Sequence, residues 1–224
     1  MPALASVRQI QGNLVDLTAL TVRDLLALLR TAQGRDAQFI RDLLVEAYPE
    51  IVGQYATAAG LLTVGWYESL PGDPAFRATA APVLLERLEG TARWAAGAIF
   101  TGGKLEEIVA GSAKRHVFNA SRDTVIENTS REGVTWARYA SANACPFCRM
   151  LATRSDVYSS EAAAGGGGSN YHDNCRCMAV PVRGGDTYSP PPYVEKWEAE
   201  YSEARAAADG VDAKSILAAW DKQL

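Results

Sequence analysis

This chain is poor in the side chains that do chemistry. Its 224 residues include only four cysteines and two histidines, so any function needing a thiolate or a ring base rests on six groups. No apolar run approaches the roughly 18 residues that span a bilayer as a helix, which predicts a soluble protein. The first residues, Met1-Pro-Ala-Leu-Ala-Ser-Val-Arg-Gln, lack the long apolar core of a signal peptide. The expected compartment is therefore reducing cytoplasm, where disulfides are rare. Positive charge is short as well: 22 Lys and Arg face 26 Asp and Glu, a net charge of −4. That balance argues against a general nucleic-acid coat, which needs a surplus of cations on at least one face, and leaves only a local basic patch open. What is present is ordinary globular composition, 48% hydrophobic and 21% charged, enough to bury a core in one large domain or one domain plus a small module.

The scarce residues are concentrated. Cys145-Pro-Phe-Cys148 is followed by His172-Asp-Asn-Cys175-Arg-Cys177, which together hold every cysteine and one of the two histidines. A C-x2-C pair followed by H-x2-C-x-C supplies thiolates and an imidazole, the donors Zn²⁺ prefers, from two knuckles that a tetrahedral ion can draw together. Cys145, Cys148, His172, Cys175 and Cys177 are thus five candidate ligands for four positions. Two disulfides are one alternative. Redox catalysis is another, since Cys145-Pro-Phe-Cys148 looks like the glutaredoxin dithiol and Val180-Pro181 follows. A thioredoxin-type fold, however, needs a βαβ crossover and further strands before that proline. The intervening chain here is short, contains the run Gly165 to Gly168, and leaves three donors unused. Thiolate richness favours a closed, structural ion over a catalytic one, which keeps a position open for water. Asp173 is the candidate acceptor for an imidazole N–H.

Helical periodicity fills the chain up to about residue 130. Leu17, Thr21, Leu25, Leu28 and Leu29 stripe a first helix that Gly34 is placed to end. Phe39, Leu43, Leu44 and Ala47 stripe a second, which Pro49 should stop near Ala47. Ile51, Tyr55, Ala58, Leu62 and Trp66 mark a third. Pro71-Gly-Asp-Pro74 breaks the chain, and an Ala-rich helix is expected from about Thr79 to Ala98. Gly102-Gly103 separates it from a helix near Lys104 to Glu127, closed by Ser130-Arg-Glu-Gly133.

Beyond Gly133 the pattern changes. Val134 to Ala140 has the β-branched and aromatic content of a strand, with Val134, Trp136 and Tyr139 competing for its inner face. A short helix over Phe147 to Thr153, a strand at Val157-Tyr158 and another over Cys177 to Val182 are expected, with Pro181 marking an edge or strand end. Strands this short need support. A structural Zn²⁺ contributes about 10–16 kcal/mol in small peptides, comparable to the whole stability of a domain. The glycine run reads as a flexible loop between the knuckles. Ser189-Pro-Pro-Pro-Tyr193 reads as a stiff spacer. Two closing helices follow, Val194 to Ala208 and Val211 to Trp220. Their stripe of Tyr193, Trp197, Tyr201, Ile216 and Trp220 is free to fold back on the bundle or meet a partner.

Trp136-Ala-Arg-Tyr-Ala, Ala144 to Arg154 around the first knuckle, Val157-Tyr158, Tyr171 to Cys177 and Ala179-Val-Pro-Val182 together resemble the Mu F-like minor head proteins of tailed bacteriophages, closest to the actinobacterial-phage branch. The helical half is similar too, notably Ala58 to Glu68, and His-x2-Cys-Arg-Cys is the most specific part. Ser155 stands where a glycine is expected, and Asn174 where a second histidine is common. The resemblance implies a low-copy virion component made in the host cytoplasm, placed in the head near the portal vertex. It implies the portal protein as partner, with the major capsid protein and packaged DNA as further candidates, and a role in assembly or genome delivery.

Some relatives are described as capsid maturation proteases. A serine protease needs an imidazole base, and only His116 and His172 are available. His172 is better used as a ligand, and His116, in Ala113-Lys-Arg-His-Val-Phe118 on a helix, reads as a solvated or capping residue. Lys114, Arg115, Arg122 and Arg131 read as a solvated helix face, with a DNA-facing patch as the alternative. The sequence thus predicts a mainly α protein. Residues 1–130 form a helical bundle, 131–185 a small zinc-stapled α+β module, and 186–224 a proline-rich linker with C-terminal helices. The expected role is structural, without turnover, membrane contact or small-molecule substrate. A maturation protease or a glutaredoxin-like oxidoreductase is the alternative.

Overall fold

The computed structural model describes residues 4–154, 158, 172–184 and 188–222. The expected mainly helical architecture with a small sheet is what it shows. Helix α1 runs Leu4–Thr31 and buries Val7, Ile10, Leu14, Thr18, Thr21, Leu25 and Leu29, a stripe at helical spacing. It shares Thr21, Leu25 and Leu29 with the expected stripe, while Leu17 and Leu28 are half-buried. Gly34 follows in the turn with φ +80°.

Pro49 does not end a helix. A single helix α2 spans Ala37–Ser69 with Pro49 inside it, so the two helices expected on either side of that proline are one. A proline in a helix interior forfeits one backbone hydrogen bond and crowds the carbonyl four residues back. Here Leu44, Tyr48, Val52, Ala56, Ala59 and Thr63 form one buried row straight through the site, and burial of that row outweighs the local penalty. Asp36 caps the start, accepting the Phe39 N–H at 2.9 Å.

Helix α3 covers Leu85–Thr101, beginning later than the Thr79 start expected. The preceding residues run extended because side chains of the next helix take their backbone groups. Asn128 accepts from the Thr79 N–H at 2.9 Å and donates to its carbonyl at 2.7 Å, and Thr124 Oγ1 accepts from Ala81 N–H at 3.1 Å. Helix α4, Leu105–Glu132, carries these groups and outlasts its expected end by about a turn before Gly133 caps it at φ +71°. It is buried on several sides, touching α1, α2 and α3, so polar side chains inside it pair with neighbours: Thr63 donates to Ser121 at 2.7 Å and Tyr48 to Ser112 at 2.9 Å.

Strand β1 (Thr135–Tyr139) and strand β2 (Met178–Val182) pair antiparallel, Thr135 opposite Val182 and Tyr139 opposite Met178. Tyr158 adds an isolated bridge on the far side of β1 at Trp136, and the two rings stack at 4.8 Å. Val157, the glycine run and Tyr171 lie outside the described residues. Trp136 and Tyr139 are buried and Val134 only partly so, and β1 is covered on both faces. Between the strands, helix α5 covers Pro146–Ala152. Helices α6 (Tyr193–Ala207) and α7 (Ala213–Asp221) close the chain.

Two expectations change here. The aromatic stripe of α6 and α7 covers α5 and the cysteines: Trp197, Ile216 and Trp220 share a core with Cys148, Met150, Leu151, Cys175 and Cys177. The segment before α6 is also no free spacer, since Tyr188 and Pro191 are buried, Tyr188 against Ala137 and Val182. Among the described residues no helix is long and apolar enough to cross a membrane.

Candidate metal centre

The first knuckle is built by a helix start. Cys145 is the N-cap of α5 and Pro146 opens the helix, a position where the missing N–H of proline costs nothing. Cys148 follows one turn later and is fully buried. The second knuckle is a tight reversal. Asn174 takes φ +66°, a left-handed conformation that asparagine tolerates better than most residues, and the Cys175 N–H closes on the His172 carbonyl at 3.1 Å. This accounts for asparagine at 174. The reversal lies against α4 at Gly111, where an added Cβ would come within 3.1 Å of Asp173 Cβ.

The fold brings all five candidate donors together. Cys145, Cys148 and His172 lie within 4.8 Å of one another, and so do Cys148, Cys175 and Cys177. The Cys148 and Cys175 sulfurs are 3.7 Å apart. A disulfide needs about 2.05 Å, and all four cysteines are free, so the structure holds them as thiols. Sulfurs about 2.3 Å from a tetrahedral ion would sit roughly 3.8 Å apart, so the observed spacing fits a shared ion.

Charge in the cluster points the same way. The Cys145 thiol is held down to about 5, first by the Cys148 hydrogen bond, with His172 adding to it. Cys175 is also driven down, by Cys148 and then Cys177. Cys148 is pushed far up by its contacts with Cys145, Cys175 and Cys177. The sulfurs are close enough to compete for negative charge, the situation that a divalent cation relieves.

Cations of the protein itself reinforce it. The buried Arg138 donates from Nη1 to Cys148 Sγ at 3.6 Å. Fully buried Arg122 of α4 donates from Nη2 to the Cys175 carbonyl and from Nε to the Cys177 carbonyl, both at 2.8 Å. Lys114 donates to Asn174 Oδ1 at 3.0 Å, and Arg115 pairs with Asp173 at 3.4 Å. Arg131 turns instead to Thr79 and Asn128. These four basic residues therefore do not form the shared outer face expected of them: three hold the second knuckle and one fastens the extended segment. Asp173 is corrected similarly. His172 Nδ1 lies 2.7 Å from the Asp173 backbone carbonyl, so that carbonyl, and not the carboxylate, accepts the ring N–H and leaves Nε2 for an ion.

Arg138, and the role of Arg122 at the cysteine cluster, are what sequence reading missed. Arg138 had a signal, a lone cation inside the otherwise uncharged Trp136-Ala-Arg-Tyr139 strand. Arg122 sits among ordinary α4 residues, and nothing local distinguishes it.

His116 is neither solvated nor a cap. It lies mid-helix, half-buried, edge-on to Tyr48, with Nε2 2.9 Å from Thr91 Oγ1 beside a cavity of about 750 Å³. The Thr91 hydroxyl donates to the Arg87 carbonyl at 2.9 Å, which makes it an acceptor toward His116. The ring therefore carries its proton on Nε2 and is not poised to take one from Thr91.

A family model described as VG15 protein matches residues 1–204. No curated protein and no solved structure matches the chain. Because that match runs from α1 through both knuckles and into α6, the chain belongs to the VG15 protein family, consistent with a phage-encoded protein.

Proposed function

We propose that this chain is a structural minor capsid protein of a tailed bacteriophage, of the Mu F-like type, in which Zn²⁺ staples two knuckles and no substrate is turned over. The observation that carries the reading is the 3.7 Å approach of the Cys148 and Cys175 sulfurs. It occurs where α5 and the second knuckle meet α6 and α7. An ion there joins the end of the chain to the helical bundle, because Arg122 of α4 grips the second knuckle while Trp197 and Trp220 cover the first. A rigid junction of this kind suits a component that must present a fixed docking surface. The portal protein is the proposed partner, the major capsid protein a further one, and packaged DNA a neighbour at the portal vertex of the head. Membership of the VG15 family and the resemblance around Trp136, the two knuckles and Ala179 to Val182 support the phage assignment.

The test has two arms. Purified protein should hold one equivalent of zinc, and Cys145→Ser with Cys175→Ser should remove it and lower the melting temperature. Unchanged metal and melting would refute the staple. Co-expression with the portal protein of the same phage should yield a complex, and absence of this chain from virions would refute the capsid role. The maturation-protease alternative predicts cleavage of the major capsid protein that His116→Ala abolishes. The glutaredoxin-like alternative predicts turnover with glutathione that depends on Cys145.

A further inference from the structure

Five donors compete for four positions, and the geometry separates them into unequal sets. Cys148, Cys175 and Cys177 are mutually close and all buried, whereas the second set joins Cys145 and His172 to Cys148 alone. The first set is also held by groups other than an ion. Arg122 fixes the carbonyls of Cys175 and Cys177, and Gln11 of α1 donates to the intervening Arg176 carbonyl at 2.7 Å. Cys148 stands within α5 with Arg138 at its sulfur. By contrast, Cys145 is half-buried and His172 exposed. Both line a cleft of about 570 Å³ that Cys175 and Cys177 also border and whose polar walls include Arg8, Gln11, Asp16, Asn143 and Arg176, so burial, not the cleft, separates the two sets.

We infer that, given the metal centre proposed above, the ion rests on a fixed floor of Cys148, Cys175 and Cys177 while its fourth position is shared by Cys145 and His172. Cys145 fills it in the intact protein, and His172 takes over when Cys145 is lost. Both are competent donors to a tetrahedral ion. Two buried guanidiniums at the floor favour a further thiolate over a neutral ring. The Asp173 carbonyl keeps His172 in the tautomer whose Nε2 can bind. Cys177 is therefore a required ligand, although it is the last cysteine in the motif and the one a four-ligand reading would most readily spare.

The test is Co²⁺ loading of the full chain under reducing conditions, with metal stoichiometry and the thiolate-to-cobalt charge-transfer band as readouts. Cys145→Ser and His172→Ala should each keep one equivalent of metal. The band should weaken by the share of one thiolate in Cys145→Ser and stay unchanged in His172→Ala. The double variant, and Cys177→Ala alone, should lose the metal. Binding by Cys177→Ala equal to wild type, or its abolition by Cys145→Ser alone, would overturn the inference. A measurement on wild type avoids variants that fail to fold. N-ethylmaleimide should modify Cys145 of the metal-loaded protein first, with the metal retained. First modification at Cys175 or Cys177, or metal release in step with Cys145 labelling, would contradict it. Wild-type protein that takes up no metal at all would refute the staple itself and this inference with it.

Discussion

The guanidinium of Arg122 donates its Nε–H to the carbonyl of Cys177 at 2.8 Å, across 55 residues of chain. The same group reaches the Cys175 carbonyl, so one side chain from the middle of α4 sets the spacing of two sulfur donors. Because the guanidinium is fully buried, its removal strands two carbonyls without water to replace it.

Arg122→Met should therefore destabilise the protein by about 2–6 kcal/mol, from about 1–3 kcal/mol for each unsatisfied buried group. Arg122→Lys should rescue little, since an ammonium keeps the charge but cannot make the planar two-point contact. Urea unfolding followed by tryptophan fluorescence measures both. A lysine variant as stable as wild type would mean that charge, not the fork, does the holding.

A second anchor ties β2 to the bundle. Arg183, just after β2, pairs with Glu132 at the end of α4 at 2.7 Å, both side chains little exposed, and also donates to the Pro71 carbonyl at 2.9 Å. Tyr67 donates its hydroxyl to the same Glu132 and lies under the Arg183 guanidinium. Breaking a buried pair by removing one partner leaves a charge uncompensated, at a cost of about 3–5 kcal/mol. Arg183→Met should cost close to that, and Arg183→Met with Glu132→Gln should cost less than the two single changes summed. Strict additivity in a double-mutant cycle would show that the pair is not coupled.

Sequence periodicity was a good guide wherever burial follows local pattern. The glycine stops at 102 and 133, the short helix after Cys145 and the strands flanking the knuckles are where residue type places them, and α1 buries Thr21, Leu25 and Leu29 of its expected stripe. It misled where distant groups decide. Pro49 reads as a stop, yet one buried row runs through it. Thr79 to Leu84 reads as helix, yet Asn128 and Thr124 capture its backbone. The five donors were legible because side chains that could hold a metal are recognisable by type and spacing. Arg122 was not, because what makes it special is the carbonyls it meets after folding.

His116 gives a pH signature. Burial, then the nearby charges of Arg115 and Arg87, push its pKa from 6.5 down to about 4. A histidine with a depressed folded-state pKa binds fewer protons folded than unfolded between those values, so stability rises with pH across that window. The contribution is fully present above about 6.5 and is lost as pH falls toward about 4. The shift corresponds to about 3 kcal/mol. His116→Gln should flatten that part of the stability–pH curve, measured by urea unfolding from pH 4 to 7. A slope unchanged by the substitution would assign it to other groups.

Removal of the proposed ion should act unevenly along the chain. The cysteines share their core with Trp197, Ile216 and Trp220 of α6 and α7 and with Met150 and Leu151 of α5. Strands β1 and β2 instead pack on the bundle through Trp136, Tyr139, Met178 and Val180. The interior of α2 and α3 forms a further core around Leu44, Tyr48 and Leu88. A chelator under reducing conditions should therefore expose the backbone amides of α5, α6 and α7 to hydrogen exchange first. The strands should keep most of their protection, and α1 to α4 should keep their helical circular dichroism. Loss of protection in α2 and α3 in step with α5 would mean that the ion stabilises the whole fold as one unit. Unaltered exchange in α5 to α7 would mean that packing around the two tryptophans holds them without it.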